Sequence, residues 1–411
     1  MKMSRISLIL VFTFIFALAG CEDKKPAAPQ KAAKCTGKCP DGQTHNKECV
    51  CVAPPVFKPD APLQAQLLEA VAKDNRTFIT SQLNKGLDIN APLGFGAMDN
   101  FLAFRETLQK SGFIYDNIRK DINDMTLLFF AVSLKKTPVV DILLTRRADV
   151  NLPSMGRTPL KAALINKDAA AAAKLLDRGA RPDLADLTLA LNNKEYPTAA
   201  LIARVAKANN LDIAPVLPDL VSAVAANDMP LITFLLDNAH VSPDVYDAAG
   251  RPLMISAALG GNANVVKLLL AAGATVDMQD NSGFTTLMRL AAKASDDKDL
   301  ILMQYLLDNK ASVNSQDNAG YNVLYHAMRG DNPGAAGLLI HAGADVNALS
   351  GENDQTAIFT AAQRGNLAMV KLLIDNGALT RIKDRHGKTP AKYAVERGHM
   401  AVYDLLEKQK E

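Results

Sequence analysis

Five cysteines are the residues of this chain best able to do chemistry, and all of them lie within its first 51 positions. Cys21 stands alone, whereas Cys35, Cys39, Cys49 and Cys51 share one short segment, CTGKCPDGQTHNKECVC. Grouped thiols form disulfides in an oxidising compartment, and they can ligate a metal such as zinc. The compartment of the protein therefore decides between these two chemistries.

The segment before Cys21 has the composition of a secretion signal. Lys2 and Arg5 precede an apolar run at residues 6–19, which only Ser7 and Thr13 interrupt. A spanning helix needs about 20 apolar residues, so this run is short for a membrane anchor and fits a cleaved signal better. An uncleaved N-terminal helix is the alternative.

Leu18-Ala19-Gly20-Cys21 resembles the lipobox of bacterial lipoproteins, a Leu and two small residues before a Cys. The resemblance implies cleavage just before Cys21, followed by lipidation of its sulfur and of its new amino group. Two or more acyl chains hold a protein stably at a membrane. We therefore predict a lipoprotein signal peptide at 1–20 and a lipidated flexible tether at 21–34. An ordinary signal peptide without lipid on Cys21 is the alternative.

An exported chain favours disulfides for the other four cysteines. Cys49 and Cys51 flank a single residue, so a bond between them would close a strained ring; we favour two bonds from Cys35 and Cys39 to Cys49 and Cys51, in either order. The alternative is a Cys₄ or Cys₃His zinc site that uses His45. Its cysteine spacing suits zinc poorly. The expectation is a small disulfide-bonded neck at 35–52, with no metal or cofactor.

From about residue 60 the chain repeats itself. GRPLMISAALGGNANVVKLLLAAGATVD (250–277), DQTAIFTAAQRGNLAMVKLLIDNGA (354–378) and GKTPAKYAVERGHMAVYDLLE (387–407) share a turn, an Ala-rich segment, a Gly-containing turn and an apolar segment. This pattern resembles the ankyrin repeat, a unit of about 33 residues with a β-turn and two antiparallel helices. The resemblance implies an all-α ankyrin-repeat solenoid of about ten units over residues 60–411.

Each part of the unit has a structural role. Pro159 and Pro390 follow Thr at the start of a helix, where a missing N–H costs nothing. Four glycines are expected to end second helices in the left-handed conformation: Gly179, Gly273, Gly343 and Gly377. Four polar residues are expected to tie up the loops that follow: Asn151, Asp277, Asn314 and Asn347. The family's usual turn histidine is replaced by other residues, so a His-stapled turn is not expected here.

An insertion at 93–122 separates the first two units and is rich in aromatic residues. We interpret it as an added helix that packs on the solenoid. The alternative is an exposed aromatic surface for a partner, because aromatic side chains are enriched at binding hot spots.

No constellation of catalytic residues is visible, so the chain is predicted not to be an enzyme. There is no phosphate-binding Gly loop and no G-x-S-x-G, and the six histidines form no metal-ligand pair. The formal net charge of +3 is too small for a nucleic-acid-binding face.

By analogy with ankyrin proteins, a protein partner is expected on the fingertips and on the first helix of each unit. The predicted fingertip residues are Asn281, Ser282, Asn318, Asn353, Asp354, Arg385 and His386. The residues predicted to be exposed on or beside first helices are Arg289, Tyr321, His326, Arg329 and Gln363.

These expectations combine into a monomeric, membrane-tethered periplasmic scaffold that binds an unknown protein. The outer membrane is favoured over the inner one because Glu22, and not an Asp, follows Cys21. One alternative is an immunity or inhibitor protein that neutralises a periplasmic toxin or enzyme. Another is a metal-binding protein that uses the cysteine neck.

Overall fold

A computed structural model describes residues 56–94, 105–106, 123–293 and 296–408, together with two short strands. The strands, β1 (Thr44–His45) and β2 (Cys51–Val52), pair antiparallel. Cys21, Cys35, Cys39 and Cys49 lie outside the described residues, as does the side chain of Cys51, so lipidation and disulfide formation stay predictions. Most of the insertion at 93–122 lies outside them as well.

After residue 60 the described chain is built from helices that follow one another in pairs. The first helices are α1 (Ala61–Ala72), α3 (Leu127–Ser133), α5 (Pro159–Ile165), α7 (Leu184–Asn192), α9 (Leu220–Ala225), α11 (Leu253–Leu259), α13 (Thr286–Ala292), α15 (Val323–Arg329), α17 (Ala357–Arg364) and α19 (Pro390–Glu396). The second helices are α2 (Arg76–Asn84), α4 (Thr137–Thr145), α6 (Ala169–Asp177), α8 (Tyr196–Ala208), α10 (Met229–Thr233), α12 (Ala263–Ala271), α14 (Asp297–Asp308), α16 (Pro333–His341), α18 (Leu367–Asp375) and α20 (Met400–Lys408).

The pairs stack into two layers. First helices pack on first helices, as α13 does on α15, and second helices pack on second helices, as α14 does on α16. One leucine of each Leu-Leu pair is buried between the layers: Leu269, Leu306, Leu339, Leu373 and Leu406. The predicted all-α solenoid is confirmed.

Side-chain caps begin most of the first helices, with α11 and α17 as exceptions. Thr158 Oγ1 accepts from the Lys161 N–H at 3.2 Å, and Pro159 occupies the first helical position, as predicted. Thr285 caps α13 in the same way, by accepting from Met288 at 3.3 Å. Such a cap satisfies a backbone donor that the short helix leaves without a partner.

Glycine in the left-handed region ends the four second helices where it was predicted, and Gly86, with a φ of 98°, ends α2 in the same way. Gly179, Gly273, Gly343 and Gly377 have φ between 87° and 93°. The fifth pair has Ala239 at the equivalent position, and a π-turn, Phe234–Asn238, extends α10 instead. The chain reaches the positive φ of the turn one residue later, at His240, whose φ is 54°.

The polar residues after these turns join neighbouring pairs, as predicted. The Asn151 amide donates to the Gly179 carbonyl at 3.1 Å and accepts from the Arg181 N–H at 2.8 Å. Asn347 makes the same two contacts with Gly377 and Leu379. Each loop is therefore fixed against the loop of the next pair.

The insertion leaves the array and returns to it at one place. Leu93 and Met125 exchange two backbone hydrogen bonds, of 2.7 and 3.1 Å, and both side chains are buried. Of residues 95–122 the structure describes only Arg105 and Glu106, which are helical. Its proposed packing role therefore stays a prediction.

Candidate interaction surface on the fingers and first helices

The loops that connect one helix pair to the next, here called the fingers, are tied together by backbone hydrogen bonds. The Asn318 N–H donates to the Ser282 carbonyl at 3.1 Å, and the Gly351 N–H donates to the Gly320 carbonyl at 3.0 Å. The Arg385 N–H then donates to the Asn353 carbonyl at 3.1 Å. The last four fingers thus form one continuous ladder, which orders the surface that they present.

A buried or half-buried aspartate holds the turn of four fingers. In one buried example, Asp317 Oδ1 accepts from the Ala319 and Tyr321 N–H groups, both at 2.9 Å. Asp247, Asp280 and Asp384 accept from equivalent backbone donors. Gly320, three residues after Asp317, supplies the positive φ of 78° that the turn requires.

The other carboxylate oxygen of each aspartate contacts the side chain nine residues later, on the first helix. That partner differs from finger to finger: Ser256 at 2.6 Å, Arg289 at 3.0 Å through Nε, His326 at 3.0 Å and Tyr393 at 2.7 Å. A staple between turn and helix therefore exists in every one of these four fingers. It uses four different donors, and because one of them is His326, the expectation that no turn is stapled by a histidine is wrong for that finger.

An aromatic and cationic cluster lies at the centre of this surface. The rings of Tyr321 and Tyr325 stack with centroids 4.0 Å apart. The guanidinium carbon of Arg289 lies 3.9 Å from the centre of the Phe284 ring. The centre of the His326 ring lies 4.6 Å from the centre of the same Phe284 ring. Both tyrosines are half-buried, so the pair is held in place yet keeps part of its surface for contact.

Glycine is required beside this pair. Gly351 has a φ of 68°, and a Cβ atom there would lie 2.2 Å from Cε1 of Tyr321. The Tyr321 ring therefore lies directly on the backbone of the next finger. This contact fixes the position of the ring.

The structure brings most of the predicted fingertip residues into contact with one another. Arg385 Nε lies 2.6 Å from the Asp354 carboxylate, His386 Nε2 lies 3.2 Å from Asn353 Oδ1, and Asn318 donates to the Asn281 carbonyl at 3.0 Å. The exposed fingertip residues are Asn281, Ser282, Asn318, Asn353, Arg385 and His386, whereas Asp354 is half-buried.

The residues predicted on or beside first helices divide into three groups. Arg289, Tyr321 and Gln363 are half-buried, and Arg329 is exposed. The predicted exposure of His326 is wrong: its side chain is only 1% exposed, because the ring turns inward to Asp317. Arg329 is the last residue of α15, so it lies at the opposite end of that helix from the finger.

Sequence reasoning missed Tyr325 as a surface residue, because it was read only as a departure from the family's histidine. The available signal was its spacing. Tyr321 and Tyr325 are four residues apart, at the point where a turn enters a helix, and such spacing brings side chains together. The half-exposed pair is the strongest hot-spot candidate on the finger surface.

Burial and hydrogen bonds shift the pKa values of several groups in the fingers. Burial lowers the pKa of His326, although the Asp317 carboxylate opposes this shift. Burial raises the pKa of Tyr325, and the neighbouring Tyr321 adds to the rise. Burial opposes ionisation of Asp384, but hydrogen bonds from Gln355, Tyr393 and the backbone outweigh it and lower its pKa to about 2.

Replacing Asp384 with Asn is therefore expected to remove part of the acid sensitivity of the protein. The folded-state pKa of Asp384 lies below its ordinary value of 3.8, so its contribution is present above pH 3.8 and is lost as the pH falls towards about 2. That contribution is on the order of 1–2 kcal/mol. Urea denaturation of both proteins between neutral pH and about pH 2 measures it. A stability difference that does not change with pH would refute this assignment.

Two other properties of the described residues bear on function. None of their helices has the length and apolar character needed to cross a membrane. They also contain no group of three or more His, Cys, Asp or Glu side chains placed to hold a metal ion.

Stacked helix pairs with projecting fingers define a helical repeat protein whose site is an extended interaction surface. The chain belongs to the ankyrin-repeat family. It matches the family described as ankyrin repeats (3 copies) at residues 93–186, 220–297, 253–350 and 342–411, more than half of its length. Arrays of this family provide an extended surface suited to binding other proteins.

Comparison with curated proteins gives partial relatives. The chain is 33% identical to an ankyrin repeat-containing protein of Treponema pallidum over 141 residues. This matched segment covers 34% of this chain and 46% of that protein. It is 31% identical over 159 residues to alpha-latrotoxin-Lg1a of Latrodectus geometricus, 38% of this chain and 11% of the toxin. It is 29% identical over 170 residues to transient receptor potential cation channel subfamily A member 1 of Homo sapiens. That match covers 40% of this chain and 15% of the channel. The match spans less than half of each relative.

Proposed function

We propose that this protein is a membrane-tethered scaffold on the periplasmic side of the cell envelope, with the outer membrane favoured. It binds a protein partner through its fingers and the adjoining ends of its first helices. The tether is supported by the lipobox-like sequence that ends at Cys21 and by the spacer after it. The binding role is supported by the fold, because stacked repeats provide an extended surface for a partner.

The observation that carries the binding proposal is the Tyr321–Tyr325 stack on an ordered ladder of fingers. A partner gains most from large side chains that are already fixed, because fixing them on binding costs conformational entropy. Tyrosine offers a broad apolar face with a hydroxyl at its edge, which explains its frequent use at interfaces. Here the Gly351 contact and the stack itself hold both rings before any partner arrives.

Replacing Tyr321 and Tyr325 together with Ala is expected to weaken partner binding by about 2 kcal/mol, roughly thirtyfold. The matched control is Tyr305→Ala, a half-buried tyrosine on the second helix α14. Both variants are compared with the parent by quantitative recovery of partners from envelope extracts, after circular dichroism has shown that they fold. Equal losses in the two variants, or none in either, would count against the finger surface.

A further inference from the structure

A cavity of about 280 Å³ lies between the first helices α9 and α11. Val221, Val224 and Leu253 contribute apolar walls, whereas Ser256 and Asn262 contribute polar groups. Pockets for drug-sized ligands usually measure about 300–1,000 Å³. A cavity of this smaller size suits a single side chain.

The small side chain of Ser256 leaves this space open. Ser256 is the residue that contacts the turn aspartate Asp247 from the first helix. In the other three fingers the same position carries Arg289, His326 or Tyr393, and each of these larger side chains reaches its own aspartate. Serine is the smallest of the four, so the volume that a larger side chain would occupy beside α9 stays unfilled.

The charged groups of the cavity lining balance each other. Ser256 Oγ donates to Asp247 Oδ2 at 2.6 Å, and Arg251 Nη2 lies 2.8 Å from the same oxygen. Burial opposes ionisation of Asp247, but hydrogen bonds from Ser256, Arg251 and the backbone outweigh it and hold its pKa well below the ordinary range. One carboxylate and one guanidinium thus cancel, so a charged group that entered the cavity would have no counter-charge there.

Asn262, at the end of α11 remote from the finger, has an unused hydrogen-bonding side chain. Asn332 and Asn366 occupy the same position directly before their second helices, and both cap those helices. Their amides also donate to the preceding turn, to the Lys293 carbonyl and to the Asp331 carboxylate. Asn262 makes no cap, and its amide has no hydrogen-bond partner among the residues that the structure describes. It can therefore bond a group that enters the cavity.

We propose that this cavity receives the side chain of a tyrosine from the protein partner. The ring contacts the two valines and Leu253, and the hydroxyl bonds to the Asn262 amide. Tyrosine combines a neutral apolar face with one polar tip, as this lining requires. Phenylalanine or leucine would leave the amide without a partner, and lysine or glutamate would bring an unbalanced charge. The inference rests on the proposed function for the source of the tyrosine, but the cavity can be tested without the partner.

The test uses the full-length chain and three probes: the N-acetyl amides of tyrosine, phenylalanine and lysine. Binding is followed through the valine and leucine methyl signals in NMR spectra. Ser256→Tyr fills the cavity from within, and it is expected to fold because Tyr393 holds the equivalent position against Asp384. Its matched control is Ser312→Tyr, at an exposed serine in the loop after α14. Asn262→Ala removes the amide and leaves the cavity open.

The tyrosine probe is expected to bind the parent with a dissociation constant on the order of 1 mM, because it offers few contact atoms. The phenylalanine probe should bind about fivefold more weakly, since it lacks one hydrogen bond. The lysine probe should not bind. Ser256→Tyr should abolish binding, Ser312→Tyr should leave it unchanged, and Asn262→Ala should make the tyrosine and phenylalanine probes equal. Absence of tyrosine binding to the parent, or a tyrosine preference that persists in Asn262→Ala, would overturn the inference.

Partner recovery from envelope extracts separates this inference from the proposed function. Ser256→Tyr should lower recovery about tenfold, and Ser312→Tyr should not. Undiminished recovery with Ser256→Tyr would show that the partner does not use the cavity. If Ser256→Tyr loses the partner and the double Tyr321 and Tyr325 variant keeps it, the tyrosine stack fails and the cavity stands. If the tyrosine probe does not bind and the double variant loses the partner, the cavity fails and the finger surface stands.

Discussion

Asp317→Ala is expected to lower the free energy of unfolding by about 3 kcal/mol. The Asp317 carboxylate accepts from two backbone N–H groups and contacts His326, which is 1% exposed. Removing it leaves three polar groups without this acceptor, and a group that is buried and unpaired costs about 1–3 kcal/mol. Urea denaturation gives the loss. Hydrogen exchange at Ala319 and Tyr321 shows whether the loss begins in this finger, as expected for an array with local cooperativity.

Asp308→Ala is the matched control for this experiment. Asp308 is exposed on α14 and accepts only a surface hydrogen bond, from Gln304 at 2.9 Å. Its loss should change stability by no more than about 0.5 kcal/mol. The loss of stability in Asp317→Asn should lie between the losses in Asp317→Ala and Asp308→Ala, because an amide oxygen can still accept from the backbone. If Asp317→Ala costs less than about 1 kcal/mol, the aspartate does not hold the turn.

Cys21→Ala is expected to abolish the incorporation of labelled palmitate completely. The proposed lipid is attached to the Cys21 sulfur, and the lipobox-like sequence that implies cleavage ends at Cys21, so this variant is expected to escape cleavage. The apolar run at residues 6–19 would then stay on the chain, so membrane fractionation alone would not report the loss. Labelling in growing cells, combined with intact mass measurement of the purified protein, reports both the acyl chains and the leader.

Cys39→Ala is the control for this substitution. It removes a cysteine from the predicted disulfide neck and leaves the lipobox-like residues 18–21 unchanged, so labelling should persist. Label on the Cys21→Ala protein would show that another residue is acylated. Absence of label from the parent would show that Cys21 belongs to an ordinary signal peptide or to an uncleaved helix.

The repeat pattern was sufficient to predict the helix layers, because the features that define each pair are local. A Thr-Pro start, a glycine at positive φ and an asparagine in the next loop each act within a few residues or on the adjacent loop. Pro159, Gly179 and Asn151 do in the structure what their positions predict. The π-turn at Phe234–Asn238 was not predicted.

The interaction surface was harder to predict, because side-chain direction depends on contacts between turn and helix. His326 looked exposed by its place in the repeat, yet it pairs with an aspartate nine residues earlier. The same spacing joins Asp280 to Arg289 and Asp384 to Tyr393, so the rule becomes visible only when turn and helix are considered together. The donors differ in chemical type, so a sequence search for one recurring residue type does not find the position that they share.

Photocrosslinking in living cells tests the central claim most directly. A photoreactive residue is placed at Ser282, an exposed fingertip position, and in a second strain at Lys371, an exposed position on the second helix α18. We predict that illumination yields a crosslinked protein adduct from position 282 and little or none from position 371. Adducts of equal yield from both positions, or adducts from position 371 alone, would contradict the assignment of the fingers as the partner-binding surface.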